Sequence, residues 1–336
     1  MSGVLRIATF NINGIRATQR RGFEGWLAER DCDVVALQEV RCPVAALPEG
    51  VFGGYHLTYD AGQLAGRNGV AVLTRERPLA ARSWGAGVLT RAPGDGHVEL
   101  AEHEEPGRLA RELRAFADEG RYLEVDLADV PLTVASLYLP KGGLPAHLQD
   151  ARRRRESPQQ AGGAGTEGER QAAPGARRAR QVEDGGAKFA RKMTFLQGFA
   201  RHLTAARRGA AAQGREFLLM GDLNIAHTPQ DVNNWRRQVT SEGFLPEERA
   251  WLDEVIGPRR LVDVLRRHHP DAQGPYSWWS WMGQAFAKDT GWRIDYHLST
   301  PALARSSTRA WVDREASREE RMSDHAPVVV EYAYPR

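Results

Sequence analysis

The chain is expected to fold as one large α/β sandwich, and three features point that way. Short apolar runs rich in β-formers alternate with amphipathic helical stretches, and several of the runs stop abruptly at polar side chains. The third feature is composition: 41% of the 336 residues are hydrophobic and nine are tryptophan, enough for a sizeable core. A rule of thumb on length would suggest two domains, but large α/β sandwiches reach this size as one, so a single domain over residues 1–336 is expected.

Composition also excludes classes. No apolar run approaches the roughly 20 residues that span a bilayer, so no membrane segment is expected. The stretch MSGVLRIATFNI enters a strand without the basic start, apolar region and cleavage site of a signal peptide, so export is not expected. Cys32 and Cys42 are too few and too close for a disulfide framework or a zinc site, which fits a reducing compartment. The pI near 9 invites a nucleic-acid reading. Residues 151–187, however, carry eight arginines against five acids, a surplus equal to the +3 of the entire chain. A case for nucleic acid must therefore come from the site.

In chain order, Val4 to Ile12 reads as a strand ending in FNINGIRA, with Asn11 and Asn13 where it gives way to Gly14. Asparagines before a glycine also make plain turns. Phe23, Trp26 and Leu27 recur at helical spacing, and Asp33 to Val40 (DVVALQEV) is a second apolar strand that brings out Gln38 and Glu39. A glutamate closing a buried strand is expensive unless donors or a cation meet it, and a metal is one such cation. Gly69 to Thr74 is a third strand. Tyr122 to Leu127 and Leu132 to Leu139 form an antiparallel pair, and the second ends in SLYLPKGG with Tyr138 at its exit. That tyrosine either reaches a bound group or packs as an ordinary core aromatic.

From about Asp150 to Ala187 large apolar residues all but vanish. Such a segment cannot bury enough surface to order itself, so a disordered or loosely attached insert is expected. It is either a tolerated surface insertion or an arginine-rich tether for a phosphate backbone. A helix follows from about Lys188 to Ala206, with Phe189, Met193, Leu196, Phe199 and Leu203 on one face. Next comes REFLLMGDLNIAH, residues 215–227, where a buried strand Phe217 to Met220 stops at Gly221 and delivers Asp222 and Asn224. A carboxylate and an amide two residues apart in extended chain share a face at the carboxyl end of a strand, where α/β sheets place their chemistry. Taken alone the two residues read equally well as turn caps.

SEGFLPEERAWLDEVIG gives a helix from near Pro246, and LVDVLRRHHP a short one. In YSWWSWMGQAF, residues 276–286, the aromatics either pack a core edge or form a platform for flat ligand groups. GWRIDYHLST is a strand in which Arg293, Asp295 and His297 alternate with Ile294, Tyr296 and Leu298. In MSDHAPVVVEY, Asp324 and His325 precede the last strand.

Asn11, Asn13, Glu39, Tyr138, Asp222, Asn224, Asp295, Asp324 and His325 thus all stand at strand ends. All but the histidine offer oxygen, which suits a hard cation such as Mg2+ or Mn2+ rather than zinc. This set supports metal-assisted attack of water on a phosphate ester, with an aspartate taking the proton and an imidazolium meeting the developing charge.

The segments ATFNINGIRA, VALQEVR, SLYLPKG, LLMGDLNIAHTPQD, GFLPEERAWLDE, LVDVLR, YSWWSW, GWRIDY and SDHAPV resemble the exonuclease III family of abasic-site endonucleases. That family lies within the endonuclease/exonuclease/phosphatase superfamily of deoxyribonuclease I-like folds. The resemblance covers the chain except the insert and parts of residues 75–120. GDLN and SDH identify only the superfamily; FLPEER, the YSWW cluster and GWRID narrow it to the DNA-repair branch.

The resemblance implies a four-layer α/β sandwich of two packed mixed β-sheets flanked by helices. It implies that Glu39 and Asp324 bind the metal with Asn13 beside them, and that Asp222 activates water while Asn224 orients the phosphate or Asp222. His325 would contact the scissile phosphate, polarised by Asp295, and Tyr138 and Asn11 would hold phosphate oxygens or neighbouring residues. The tryptophan-rich loop would insert beside an extrahelical abasic sugar through Trp281 and Phe286. The implied activity is Mg2+-dependent hydrolysis, with Mn2+ as substitute, 5′ of abasic sites in double-stranded DNA. Removal of 3′-blocking groups and 3′→5′ exonuclease activity would accompany it. The implied setting is a monomer in a bacterial-type cytoplasm, associated with the nucleoid through its substrate. A phosphatase of the same fold, acting on a lipid or small-molecule phosphoester, is the alternative. Two departures stand out: the link after the tyrosine strand is lengthened by the insert, and Met282 occupies a position where many relatives carry a basic residue.

Overall fold

In the computed structural model the residues described are 2–64, 66–85, 87–94, 99–100, 109–156 and 184–335. Eight strands form one sheet: β1 (Ser2–Asn11), β2 (Val34–Gln38), β3 (His56–Asp60), β4 (Val70–Thr74), β6 (Leu89–Arg91), β7 (Glu99–Leu100), β13 (Ser307–Val312) and β14 (Val328–Pro335). Their spatial order is β13-β14-β1-β2-β4-β3-β6-β7. The second sheet has six: β5 (Ala80–Ser83), β8 (Tyr122–Asp126), β9 (Leu132–Tyr138), β10 (Glu216–Asp222), β11 (Val262–Asp263) and β12 (Asp295–Ser299), ordered β11-β12-β10-β9-β8-β5.

Both sheets are mixed. β1 runs parallel to β2 and antiparallel to β14, while β10 runs parallel to β9 and antiparallel to β12. Every residue of β2, β4 and β8 is buried, as expected for strands covered on both faces. One face of each sheet meets the other: Val34, Ala36 and Val72 pack in one core with Leu123, Val134 and Leu218. The outer faces take helices. Phe10, Val35 and Leu37 lie against Phe23 and Trp26 of helix Phe23–Arg30, and Phe217 and Leu219 against Phe195, Phe199 and Trp251 of helices Ala187–Ala212 and Pro246–Val255. These are the four expected layers.

The long helix corrects one expectation. Its buried face is Lys192, Phe195, Leu196, Phe199 and Leu203, with Phe189 and Met193 only half-buried. The pattern is displaced because Lys192 finds partners inside the protein. The insert corrects another: helix Ala146–Glu156 continues past Asp150, where disorder was expected to begin. The rest of the insert, residues 157–183, lies outside the described residues. Its two ends are tied at the base, because Gln149 Nε2 donates to Leu144 O (2.8 Å) and to Asp184 Oδ1 (2.9 Å). Asp184 in turn accepts from the amides of Gly186 and Lys188 as the long helix starts. Among the described residues no helix is long and apolar enough to cross a membrane.

Topology gathers the strand ends. Asn11 pairs with Gln38 where β1 and β2 finish together, and Tyr138 pairs with Asp222 where β9 and β10 finish together. Asp295 opens β12 directly opposite Asp222, and Thr9 faces Val328 at the start of β14. Residues just before β14 therefore come to the same edge as Asn11.

Candidate active site

Asn11 joins the two sheets. Its fully buried amide donates to Glu39 Oε1 (3.0 Å) and Asp222 Oδ2 (2.9 Å), and its Oδ1 accepts from the amide of Asn13 (3.0 Å). One amide thereby fixes a carboxylate on each sheet. The exits from the strands are sharp: Asn13, Glu39, Arg41 and Asn224 all have left-handed backbones, φ 46°, 52°, 50° and 49°. Asparagine tolerates this conformation, whereas a glutamate or arginine there pays about 1–2 kcal/mol of backbone strain. Such strain is concentrated where the chain must aim particular side chains.

Glu39, Asn13 and Asp324 form one half of the site. Asn13 Nδ2 donates to Asp324 Oδ1 (2.8 Å), while Arg41 Nη1 donates to Asn13 Oδ1 (2.6 Å) and the Arg41 guanidinium pairs with Glu39. Trp278 Nε1 donates to the other Asp324 oxygen (3.1 Å). Burial opposes charge on Asp324, but His325, Trp278 and Asn13 outweigh it and hold the carboxyl below its usual range. Glu39 Oε2 is buried and faces the Arg41 guanidinium, while Oε1 accepts from Asn11. The clustered oxygens of Glu39, Asp324 and Asn13 fit a hard cation, with Arg41 beside them as the present countercharge.

Asp222, Asn224, Asp295 and His325 form the other half. Asp222 Oδ1 accepts from the amide of Asn224 (2.8 Å) and Oδ2 from the Asn224 side chain (3.2 Å), which also donates to Leu139 O (2.9 Å). The His325 ring lies between two carboxylates, Nδ1 at 2.8 Å from Asp295 Oδ2 and Nε2 at 3.7 Å from Asp222 Oδ2. Burial pulls the imidazole down, yet Asp295 and Asp222 overcome it and raise it to about 10. Asp222 itself is raised to about 7, by burial first, then by Asp295 and Glu39 against the opposing His325. Asp222, Asp295 and His325 bring ligand-type atoms within 4.8 Å of one another. A charged imidazolium has no lone pair to give a metal, so this trio reads as proton machinery and Glu39 with Asp324 as the cation side.

Tyr138 is half-buried beside them. Burial, then Glu39 and Asp222, push its phenol far up, and its hydroxyl bonds Glu39. The tryptophan-rich loop divides. Trp281 is half-buried, with the guanidinium carbons of Arg21 and Arg321 at 5.1 and 4.2 Å from the ring centroid. Phe286 is only 3% exposed and packs edge-on against Trp279 with centroids 5.2 Å apart, so the expected contact through Phe286 is corrected: it is a core residue of the loop. Met282, 82% exposed, stands at the surface instead.

The structure also assigns residues that sequence reasoning passed over. Ser277 Oγ donates to Asp295 Oδ2 (2.6 Å), and Ser323 Oγ donates to Asn11 O (2.8 Å). Both lie inside motifs already singled out, YSWW and SDH, but a serine there carries no distinctive signal. Trp278 and Trp292, partly exposed, pack with buried Ile294 and Phe244 into an apolar cluster that reaches Asp324 through the Trp278 indole.

The chain matches the endonuclease/exonuclease/phosphatase family over residues 8–325. It belongs to that family. Among relatives, it is 25% identical over 328 residues to an exodeoxyribonuclease of Bacillus subtilis (strain 168), covering 96% of this chain and 98% of that one. It is 24% identical to recombination repair protein 1 of Drosophila melanogaster over 97% of this chain but only 37% of that longer protein. The fold is shared with an AP endonuclease from Archaeoglobus fulgidus at TM-score 0.68 and 23% identity, covering 98% of this chain and 99% of that one. The family resemblance, the α/β sandwich and the hydrolase of nuclease type expected from the motifs agree with this membership.

Proposed function

We propose that this protein is a Mg2+-dependent DNA repair nuclease that hydrolyses the phosphodiester 5′ of an abasic site and leaves a 3′-hydroxyl. Removal of 3′-blocking groups and 3′→5′ exonuclease activity use the same site. The observation that carries the reading is the arrangement of Asp222: a buried carboxylate held by Asn11 and Asn224, with the His325 imidazolium on one side and the Glu39 oxygens on the other.

In this reading Asp222 accepts a proton from the attacking water, and a carboxyl raised toward neutrality is matched to that task. Asn224 and Asn11 donate to Asp222 and fix its direction. His325, kept charged by Asp295, donates to a phosphoryl oxygen as negative charge grows there. Tyr138 offers its hydroxyl on the same edge. Glu39 and Asp324, with Asn13 beside them, would hold a hard cation, which would supply electrostatic stabilisation of the phosphoryl and leaving oxygens.

The apolar cluster of Trp278, Trp292 and Ile294 beside Asp324 favours a sugar without a base over a highly charged inositol phosphate. The relatives named for recombination repair and as an exodeoxyribonuclease support the same substrate class. We place the protein on double-stranded DNA with abasic sites or 3′ ends, as a monomer in the cytoplasm. The test is cleavage of a duplex with one tetrahydrofuran abasic site, with Mg2+ or chelator. Cutting 5′ of the lesion only with metal is expected; hydrolysis of phosphoinositides with an intact duplex would overturn the assignment.

A further inference from the structure

Lys192 is an unusual interior residue. It sits on the helix Ala187–Ala212, is 1% exposed, and its ammonium makes three contacts: Glu248 Oε1 at 2.7 Å, Asn224 O at 2.9 Å and Lys141 O at 3.1 Å. A buried ammonium is tolerated only when its donors are met, and here all three have partners from distant parts of the chain. The three partners belong to three motifs. Asn224 is in the turn GDLN that carries the water-activating carboxylate, Lys141 is in the SLYLPKGG loop after Tyr138, and Glu248 is in FLPEER.

Local geometry shows how closely these pieces are fitted. Glu248 Oε2 accepts from the amide of Leu245, capping the helix Pro246–Val255. Gly142 has φ +87°, and a Cβ there would stand 2.6 Å from Lys192 Cδ. The loop therefore wraps directly over the lysine stem, which explains the glycine after Lys141. Asn224, at φ 49°, holds a left-handed turn whose carbonyl would otherwise lack this donor.

We infer that Lys192, anchored by Glu248, is a positioning residue: its ammonium clamps the Asn224 and Lys141 carbonyls and so sets where Asn224 and Asp222 point. FLPEER thereby acquires a role away from the substrate, as the anchor of the clamp. The inference rests on the proposed function, since it concerns the same carboxylate. Misplacement of a reacting group by about 1 Å lowers turnover by about 100-fold, whereas binding of a large duplex depends on many other contacts. The clamp should therefore act on kcat and hardly on KM.

The test replaces both charges, Lys192→Met with Glu248→Leu, so that neither is left buried alone. Steady-state kinetics are measured on the tetrahydrofuran duplex, on a recessed 3′ end and on bis-p-nitrophenyl phosphate, with folding followed by thermal melting. The double variant is expected to melt cooperatively, with kcat lowered 10- to 100-fold and KM changed by less than 3-fold. Leu252→Ala, a buried change in the same helix that touches neither carbonyl, should lower the melting temperature and leave kcat within 3-fold. If the double variant fails to fold, Lys192→Gln, which removes the ammonium and shortens the side chain while leaving a neutral donor, gives the same reading. Wild-type kcat in the folded clamp variant would overturn the inference, as would an equal loss in Leu252→Ala. Failure of the wild-type protein on the abasic duplex would overturn the functional reading alone, because the kcat comparison still stands on whichever phosphoester is turned over.

Discussion

Asp295 holds the His325 imidazole at 2.8 Å through Nδ1, and both groups are buried. The pair leaves Nε2 facing Asp222, so the ring is oriented by one carboxylate toward the other. An aspartate that only balanced charge would not need Ser277 behind it, donating at 2.6 Å to the same oxygen. Replacing His325 by alanine should lower kcat by about 100- to 10,000-fold, the range for loss of an acid–base or charge-stabilising group. Asp295→Asn should fall within the same range. Single-turnover rates equal to wild type in either variant would separate the pair from the chemistry.

The pH profile follows from the same groups. Asp222, raised to about 7, must be ionised to take a proton, and His325, raised to about 10, must be charged to donate. kcat/KM should therefore rise with pH through an acid limb and fall as pH passes about 10. A cation at Glu39 favours ionised Asp222, so the acid limb lies at or below 7. For stability both groups carry the same sign. His325, raised in the fold, contributes stability that is full below its unfolded value and lost as pH rises through about 10. Asp222, also raised, favours its protonated form, so folding loses that contribution as pH rises from the acid range through about 7. A rate flat between pH 5 and 11 would contradict these assignments.

A second buried charge cluster serves stability. Arg293 and Asp231, both 0% exposed, pair at 2.7 Å; Arg293 also meets Asp263 at 2.7 Å, and Arg266 pairs with Asp231. Burial alone would raise Asp231, but Arg293 and Arg266 hold it well below the usual carboxylate range. A depressed carboxyl contributes stability above its unfolded value and loses it as pH falls through the folded one. Asp231→Asn removes the carboxylate that Arg293 and Arg266 share, leaving Arg293 with Asp263, and should lower unfolding free energy by about 3–5 kcal/mol at pH 7, read from urea denaturation. The loss should shrink toward acid pH; a pH-independent difference would argue against the pairing.

The base of the insert makes a simpler prediction. Gln149 and Asp184 meet at 2.9 Å and the helix runs on from Gln149 to Glu156, so a glycine-serine link in place of residues 157–183 has to return over about 10 Å, within reach of several residues. Stability should change by less than about 1 kcal/mol, since loop-closure entropy varies slowly with length. Loss of the cooperative thermal transition on this deletion would show that the segment braces the fold.

The candidate active-site edge is legible because strand ends are written locally: an apolar run followed by Asp222 and Asn224, or by Glu39, marks both the strand and its exit. The short strands β3, β5, β6 and β13 are not, because their residues alternate weakly and their pairing is decided by partners far along the chain. Burial of Lys192 was equally hidden. A lysine on a helix reads as solvent-facing, and only the fold reveals that Glu248 and two carbonyls await it. Phe286 shows the converse: an aromatic in a loop suggested a surface contact, but Trp279 and the Arg314 and Arg321 guanidinium groups enclose it.

The most direct test compares wild-type protein with Asp222→Asn on the tetrahydrofuran duplex, with Mg2+ and with chelator. Asparagine preserves the size of the side chain and removes its capacity to accept the proton of water. Wild-type incision 5′ of the lesion that requires metal, with a rate lowered at least 100-fold in Asp222→Asn and duplex binding retained, is the predicted result. Full incision by Asp222→Asn would contradict the account at its centre.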